Sequence, residues 1–425
     1  MLKKAKVLFT LVLVLLICVT SVSTAFATNL NDDKALIGTE QEPVQAAITK
    51  NFRLPEATTI PNVSFNFIVT PIEVDDTAFN PAAPNMPTLG TLSATPGIGT
   101  FTLSFSNADV ELRESVNGLV NTMSIQKETP NIFADATFPH AGIYVYTITE
   151  EPNTNPTIDN AANVNEWLSY SPAVYTLTVY VADATDGQST FVYALGTLVT
   201  TPNPGQPGGI KVDPTPGGYE EEYFFSQMVF INDYVKNNGP VDPNDASTLA
   251  ISKTVTGDFA SRDQLFDFSI ILAIPSIVPD IPAFYRAYIV DVDGTVITPY
   301  IEVSTSAATT FSLKHGQRLA FIDTPVGTGY EVTETGAANY FPRLSVTTSG
   351  VTVDYQERGM GAEFPSGRQL VGELANSADF FNRRDTVTPT GLNLNNLPFI
   401  GLIVLGLGAL LAFIVVKARK RARYY

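Results

Sequence analysis

Three polar residue types recur in one order in the two halves of the chain. The first half carries Lys50, Glu150 and Asn232, and the second carries Lys253, Glu334 and Asn382. Their settings match weakly: Thr49-Lys-Asn with Ser252-Lys-Thr, Gly142-Ile-Tyr-Val-Tyr-Thr-Ile-Thr-Glu with Gly329-Tyr-Glu-Val-Thr-Glu, and Phe230-Ile-Asn with Phe381-Asn. A lysine buried among apolar side chains is driven toward its neutral, nucleophilic amine, and a glutamic acid in the same pocket toward its protonated form. The acid can then hydrogen-bond the Asn side-chain carbonyl and shuttle protons as ammonia leaves. Proximity supplies much of the rate once the fold holds amine and amide in contact. The chemistry this supports is an intramolecular amide, Lys50–Asn232 and Lys253–Asn382, with Glu150 and Glu334 as the acid–base groups. Each bond would close a very long loop, worth about 4–5 kcal/mol in the loop-entropy picture.

Positioning these groups is a task for strands. Val63-Ser-Phe-Asn-Phe-Ile-Val, Thr100-Phe-Thr-Leu-Ser-Phe, Ile143-Tyr-Val-Tyr-Thr-Ile and Tyr175-Thr-Leu-Thr-Val-Tyr-Val alternate apolar and polar, as do Phe266-Asp-Phe-Ser-Ile and Tyr330-Glu-Val-Thr. Period-two alternation rich in aromatic and β-branched residues predicts half-buried antiparallel strands. No amphipathic helix of more than about three turns stands out. The fold class is all-β, two Ig-like β-sandwich domains in tandem. A flexible segment is expected over 28–45, the first domain over 46–235, a linker over 236–247 and the second domain over 248–385. First and last strands are natural neighbours in such sandwiches, which would set each Lys beside its Asn.

The ends of the chain are different in kind. Lys3, Lys4 and Lys6 precede an apolar run and then Ala25-Phe-Ala, the pattern of a secretory signal peptide over residues 1–27. Cys18, the single cysteine, lies inside it, so the processed chain must find stability without disulfides. At the other end, residues 386–425 combine Thr388-Pro-Thr-Gly391, a charge-free run of 20 residues from Leu397 to Val416, and a tail with Lys417, Arg419, Lys420, Arg421 and Arg423. Such a run is long enough to cross a membrane, and the cations hold the tail on the cytoplasmic side. Removing the three cations of one end and the five of the other takes the net charge from −17 to −25. So acidic a chain argues against nucleic acid and anionic membrane as partners. His140 and His315 read as turn residues, and Trp167 with Tyr170 and Tyr175 as core packing. No metal-ligand cluster, cofactor loop or nucleophile elbow is found, so no metal and no cofactor is expected.

A membrane anchor alone explains the apolar run and the cations but not the Pro-Thr-Gly before them. The three-part order resembles a sortase sorting signal, which implies cleavage between Thr390 and Gly391 and transfer of the Thr390 carboxyl to an amine. Over both domains the sequence resembles Gram-positive backbone pilins of the streptococcal pilin isopeptide-linkage family. Ile48-Thr-Lys-Asn-Phe, Pro61-Asn-Val-Ser-Phe-Asn-Phe, Gly142 to Glu151 and Thr310 to Glu334 carry the likeness. Glu151 and Asn376 stand as alternatives to Glu150 and Asn382. The family's polymerising lysine has no counterpart on the last strand of domain one, and Lys211, just upstream, is the candidate, with Lys236 next. The resemblance implies a secreted, wall-anchored shaft subunit of a covalent pilus rather than an enzyme beyond its own bond formation. Its implied partners are a sortase, further copies of itself, minor pilins or peptidoglycan, and a host surface. The alternative is a monomeric wall-anchored adhesin or stalk.

Overall fold

The computed structural model describes residues 36–158, 165–217, 227–238, 242–245, 249–385 and 397–421. The expected signal peptide and the expected cleavage point at Thr390 and Gly391 lie outside these residues. Between Leu36 and Arg383 the described residues form strands joined by turns and loops, with one short 3-10 helix at Asn107–Leu112, arranged as two sandwiches, each of two sheets.

Strand β1 (Thr49–Pro55), β2 (Val63–Val74), β3 (Gly142–Asn155) and β4 (Val229–Asn238) carry the first Lys–Glu–Asn set or pack on it. Their alternation decides which side chains turn inward, because successive residues of a strand face opposite sides. On β2, Val63, Phe65, Phe67 and Val69 are buried in one row. On β3, Tyr144, Tyr146, Ile148 and Glu150 form the matching row, so Glu150 takes an apolar residue's place. β2 and β3 pair in one sheet, and β1 lies between β4 and the strand Thr122–Glu128 in the other. Phe52, Phe65 and Phe105 pack between them, Phe65 and Phe105 edge to face and Phe52 tilted against both, with ring centroids 5.3–5.7 Å apart.

The second sandwich repeats the plan with β5 (Leu249–Thr256), β6 (Phe266–Ala273), β7 (Gly329–Glu334) and β8 (Asn376–Arg383). Leu249, Ile251, Lys253 and Val255 are the buried row of β5, and Asn376, Ala378, Phe380 and Asn382 that of β8. In both sandwiches the first and last strands pair in parallel, unlike the antiparallel neighbours around them. Helix α1 (Leu397–Arg421) contains an apolar stretch, Phe399–Arg419, long enough to cross a membrane.

Two expectations are corrected. Residues 36–45, expected as part of a flexible segment, are docked: Leu36–Ile37 pairs with the strand Thr190–Thr201, and Val44 N–H donates to Val192 O at 3.1 Å. Their polar composition concealed an edge strand held by backbone bonds. Residues 236–238, expected to open the linker, are the end of β4. Asn237 and Asn238 pair with Pro325 and Thr324 of the second sandwich, and Lys236 Nζ meets Glu373 Oε2 at 2.9 Å.

Candidate functional site

The register of the parallel pairs is what brings the two sets together. Across β1 and β4, Lys50 lies opposite Phe230 and Phe52 opposite Asn232. Across β5 and β8, Lys253 lies opposite Phe380 and Val255 opposite Asn382. Each Asn thus sits two residues beyond its Lys in register, on the same inward row, and the long lysine side chain spans that offset. Glu150 and Glu334 enter from the facing sheet.

In the first set Lys50 Nζ donates to Glu150 Oε2 at 2.7 Å, and Asn232 Nδ2 donates to Glu150 Oε1 at 2.5 Å. Asn232 Oδ1 accepts the Ser171 backbone N–H at 3.0 Å. Only the amide oxygen can accept, so this bond fixes the amide's orientation. In the second set Lys253 Nζ donates to Glu334 Oε1 at 2.5 Å, and Asn382 Nδ2 donates to the same oxygen at 2.8 Å. The sequence reading placed the Asn carbonyl against the acid; the structure turns the amide nitrogen there instead.

Burial governs the electrostatics. Lys50 is 0% exposed and Lys253 1%. Loss of water lowers both amines to about 8, against the opposing pull of the adjacent carboxylate. The same burial raises Glu150 and Glu334, against the attraction of their lysines. Both shifts move the pair toward its uncharged amine–acid form. Below each amine lies an aromatic floor. Nζ of Lys50 is 4.3 Å from the Phe65 ring centroid and 6.0 Å from that of Phe67; Lys253 has the same distances to Phe266 and Phe268. These rings were absent from the sequence reading, although Phe-Asn-Phe at 65–67 and Phe-Asp-Phe at 266–268 repeat in phase.

The alternatives fall elsewhere. Glu151 faces the other side of β3 and accepts from Asn66 Nδ2 at 3.0 Å. Asn376 Oδ1 accepts the N–H groups of Gly372 and Ser349 at 2.8 and 3.1 Å, which ties its side chain to the neighbouring loops rather than to Lys253. Lys211 is half-buried on a two-residue strand paired with Thr197 and Leu198. Lys127 is engaged with Asp109 at 2.7 Å. His315 Nδ1 accepts Val255 N–H at 3.0 Å, and the Tyr175 hydroxyl donates to Val229 O at 2.8 Å.

Residues 89–210 match a family described as Spy0128-like isopeptide containing domain, a span that includes Glu150 but neither Lys50 nor Asn232. Residues 247–364 match a family described as a domain of unknown function (DUF7601), a span that includes Lys253 and Glu334. A pilin of Streptococcus pyogenes serotype M1 is 25% identical over 383 residues, which is 87% of this chain and 90% of that protein. The pilus tip adhesin Cpa of Streptococcus pyogenes is 30% identical over 174 residues, 40% of this chain and 22% of that one. A crystal structure of the major pilin from Streptococcus pyogenes aligns with 81% of this chain and 100% of its own at 20% identity, with a TM-score of 0.32.

Proposed function

We propose that this chain, which carries a Spy0128-like isopeptide containing domain and is related over most of its length to a streptococcal pilin, is the shaft subunit of a sortase-assembled covalent pilus. Two self-made amides, Lys50–Asn232 and Lys253–Asn382, brace it. The observation that carries the reading is the convergence, twice in one register, of a buried amine and a buried amide on one buried carboxyl.

The chemistry follows from those contacts. The uncharged Lys50 amine adds to Cγ of Asn232, and the carbonyl electron pair moves onto Oδ1. Glu150 touches both nitrogens, so it takes a proton from Nζ and passes one to Nδ2. The Cγ–Nδ2 bond then breaks, Oδ1 regains its double bond, and ammonia departs. Glu150 ends as it began. Glu334 does the same for Lys253 and Asn382. The six side chains are buried, so bulk water has little access to the acyl carbon.

Intact-mass measurement tests the bonds. Wild-type protein should be lighter than its sequence by two ammonias, Glu150→Ala by one, and the double variant with Glu334→Ala by none. Full unreacted mass in the wild type would return both lysines to ordinary strand residues.

Polymerisation is the second part of the reading. Cleavage at Thr390–Gly391 would expose the acyl group, and α1 would hold the precursor in the membrane until then. Lys211 is the proposed acceptor. Lys211→Arg should abolish the ladder of boiling-resistant oligomers on cells while the monomer still folds and loses two ammonias. An unchanged ladder would exclude Lys211 and direct the search to Lys236, which the Glu373 ion pair currently occupies. The likeness to a pilus tip adhesin keeps one rival, a single wall-anchored adhesin or stalk. That rival gives no ladder in the wild type.

A further inference from the structure

We propose that the backbone N–H of Ser171 is the oxyanion donor for the first amide, and that Asn203 is the residue that positions it. The inference deepens the amide-bond reading above and rests on it. When Nζ of Lys50 adds to Cγ of Asn232, the negative charge develops on Oδ1. Among the described residues the one donor to that atom is the Ser171 N–H, 3.0 Å away in a buried pocket. A preorganised donor at such an atom stabilises the transition state more than it does the neutral amide.

Ser171 is on a turn between the strands Glu166–Leu168 and Val174–Asp183, and a turn needs something to hold it. One side is tied to β4, where Ser169 N–H donates to Asp233 O and Ser169 Oγ accepts from Asp233 N–H, both at 2.9 Å. The other side is tied by Ser171 Oγ, which donates to Asn203 Oδ1 at 2.6 Å. Asn203 in turn donates through Nδ2 to Val229 O at 2.8 Å and to Gln206 Oε1 at 2.9 Å. It therefore links the donor's turn to the start of the strand that carries Asn232. Asn203 is 2% exposed and Gln206 6%. Buried amides of this kind persist where their hydrogen bonds are made, and a satisfied network is rigid. Asn203 lies in the Pro/Gly-rich connection between the strands Thr190–Thr201 and Lys211–Val212, so that connection's buried end has a role in the chemistry of a bond it does not itself form.

The second set has no counterpart. Among the described residues Asn382 Oδ1 and Glu334 Oε2 have no hydrogen-bond partner. The first amide should therefore close faster than the second within one molecule.

The test is a pulse of cell-free synthesis of the full chain, acid quenching at intervals, digestion, and mass counting of the linked peptides at each site. The second site is the internal control. Asn203→Ala and Ser171→Ala should slow linkage at the first site by about tenfold or more, and an ester in place of the Ser171 peptide N–H by on the order of 100-fold. Linkage at the second site should not change. Ser171→Thr, which keeps the hydroxyl that Asn203 holds, should restore the rate. Folding of the same variants, followed by Trp167 fluorescence in a Glu150→Gln background, should proceed at the unsubstituted rate. Equal linkage rates at the first site in wild type and ester variant overturn the proposal, as does a folding defect of the same size as the linkage defect. A wild type that never loses ammonia at the first site overturns the amide reading itself, an outcome distinct from both.

Discussion

The two Lys–Glu–Asn pockets agree on the nucleophile's side and differ on the electrophile's. Register, aromatic floor and the carboxyl bridge are repeated to within a few tenths of an ångström. These are properties of four strands and their inward rows, and any sandwich with parallel first and last strands can supply them. The amide oxygen is another matter. In the first half the strand beside β4 stops at Leu168, and the chain turns back over Asn232 with the Ser171 N–H pointing at Oδ1. In the second half the strand beside β8 runs past Asn382, with Pro342 at the paired position, and among the described residues nothing donates to its Oδ1. A proline has no N–H to offer there. Both Glu150 oxygens are engaged, whereas Lys253 and Asn382 share one oxygen of Glu334. The difference teaches that the sheet supplies convergence and a loop supplies polarisation, so the two can change independently.

The largest expected effect treats the pockets as equals. Glu150→Ala and Glu334→Ala should each remove about 4–5 kcal/mol of cross-link stabilisation from its own sandwich, since both bonds close loops of more than a hundred residues. That corresponds to roughly 10–20 °C in melting temperature for a domain of this size. The losses should be local, because the pockets share no residue. Calorimetry with limited trypsin digestion checks this, and one variant loosening both sandwiches equally would break the picture of two independent clamps.

A somewhat smaller effect separates an amine from an amide. Glu150→Gln keeps the shape of the pocket and leaves Lys50 unbonded and buried. Unfolded, its amine stays protonated up to about pH 10.4. In the folded pocket burial has already lowered it to about 8, and the variant also lacks the Glu150 charge that pulled it back up. From pH 10.4 down to 8 the unfolded chain binds more protons, so stability relative to wild type falls as pH falls, by up to about 3 kcal/mol, and is regained on raising the pH. Bonded Lys50 has no titrating amine and should show none of this. Chemical denaturation from pH 7 to 10.5 measures it; a variant-to-wild-type gap that stays constant over that range would mean that Lys50 is not a buried amine.

Much of this arrangement is legible in the residues, and what is missing has physical causes. Alternation predicts the strands because one face is buried, but it leaves the choice between Glu150 and Glu151 open, and the structure turns Glu150 inward. The repeated order of Lys, Glu and Asn identifies the six side chains that meet. The oxyanion donor leaves no such mark, because a backbone N–H is supplied by every residue except proline and only its direction matters. Residues 36–45 and 236–238 were misread for a related reason: their side chains are polar, while their order comes from main-chain pairing. The amide's orientation was also misread, since Asn presents donor and acceptor on one group and only the neighbour decides which is used.

The smallest effect tests whether position on β8 or mere proximity selects the electrophile. Asn376 and Asn382 share the inward row of that strand, six residues apart. Asn376 is committed to the neighbouring loops: its Oδ1 accepts from Gly372 and Ser349, and its Nδ2 donates to Gly372 O at 3.0 Å and Leu374 O at 2.5 Å. Asn376→Ala should orphan those buried groups at a cost of about 1–3 kcal/mol, yet the second ammonia should still be lost. Asn382→Ala should retain that ammonia, because the register sets no other amide beside Lys253 and Glu334. Peptide mapping of the cross-linked fragment reads both outcomes. A Lys253 linked to Asn376 in the Asn382→Ala protein would show that β8 slides or that the loops yield, and that register does not choose the partner.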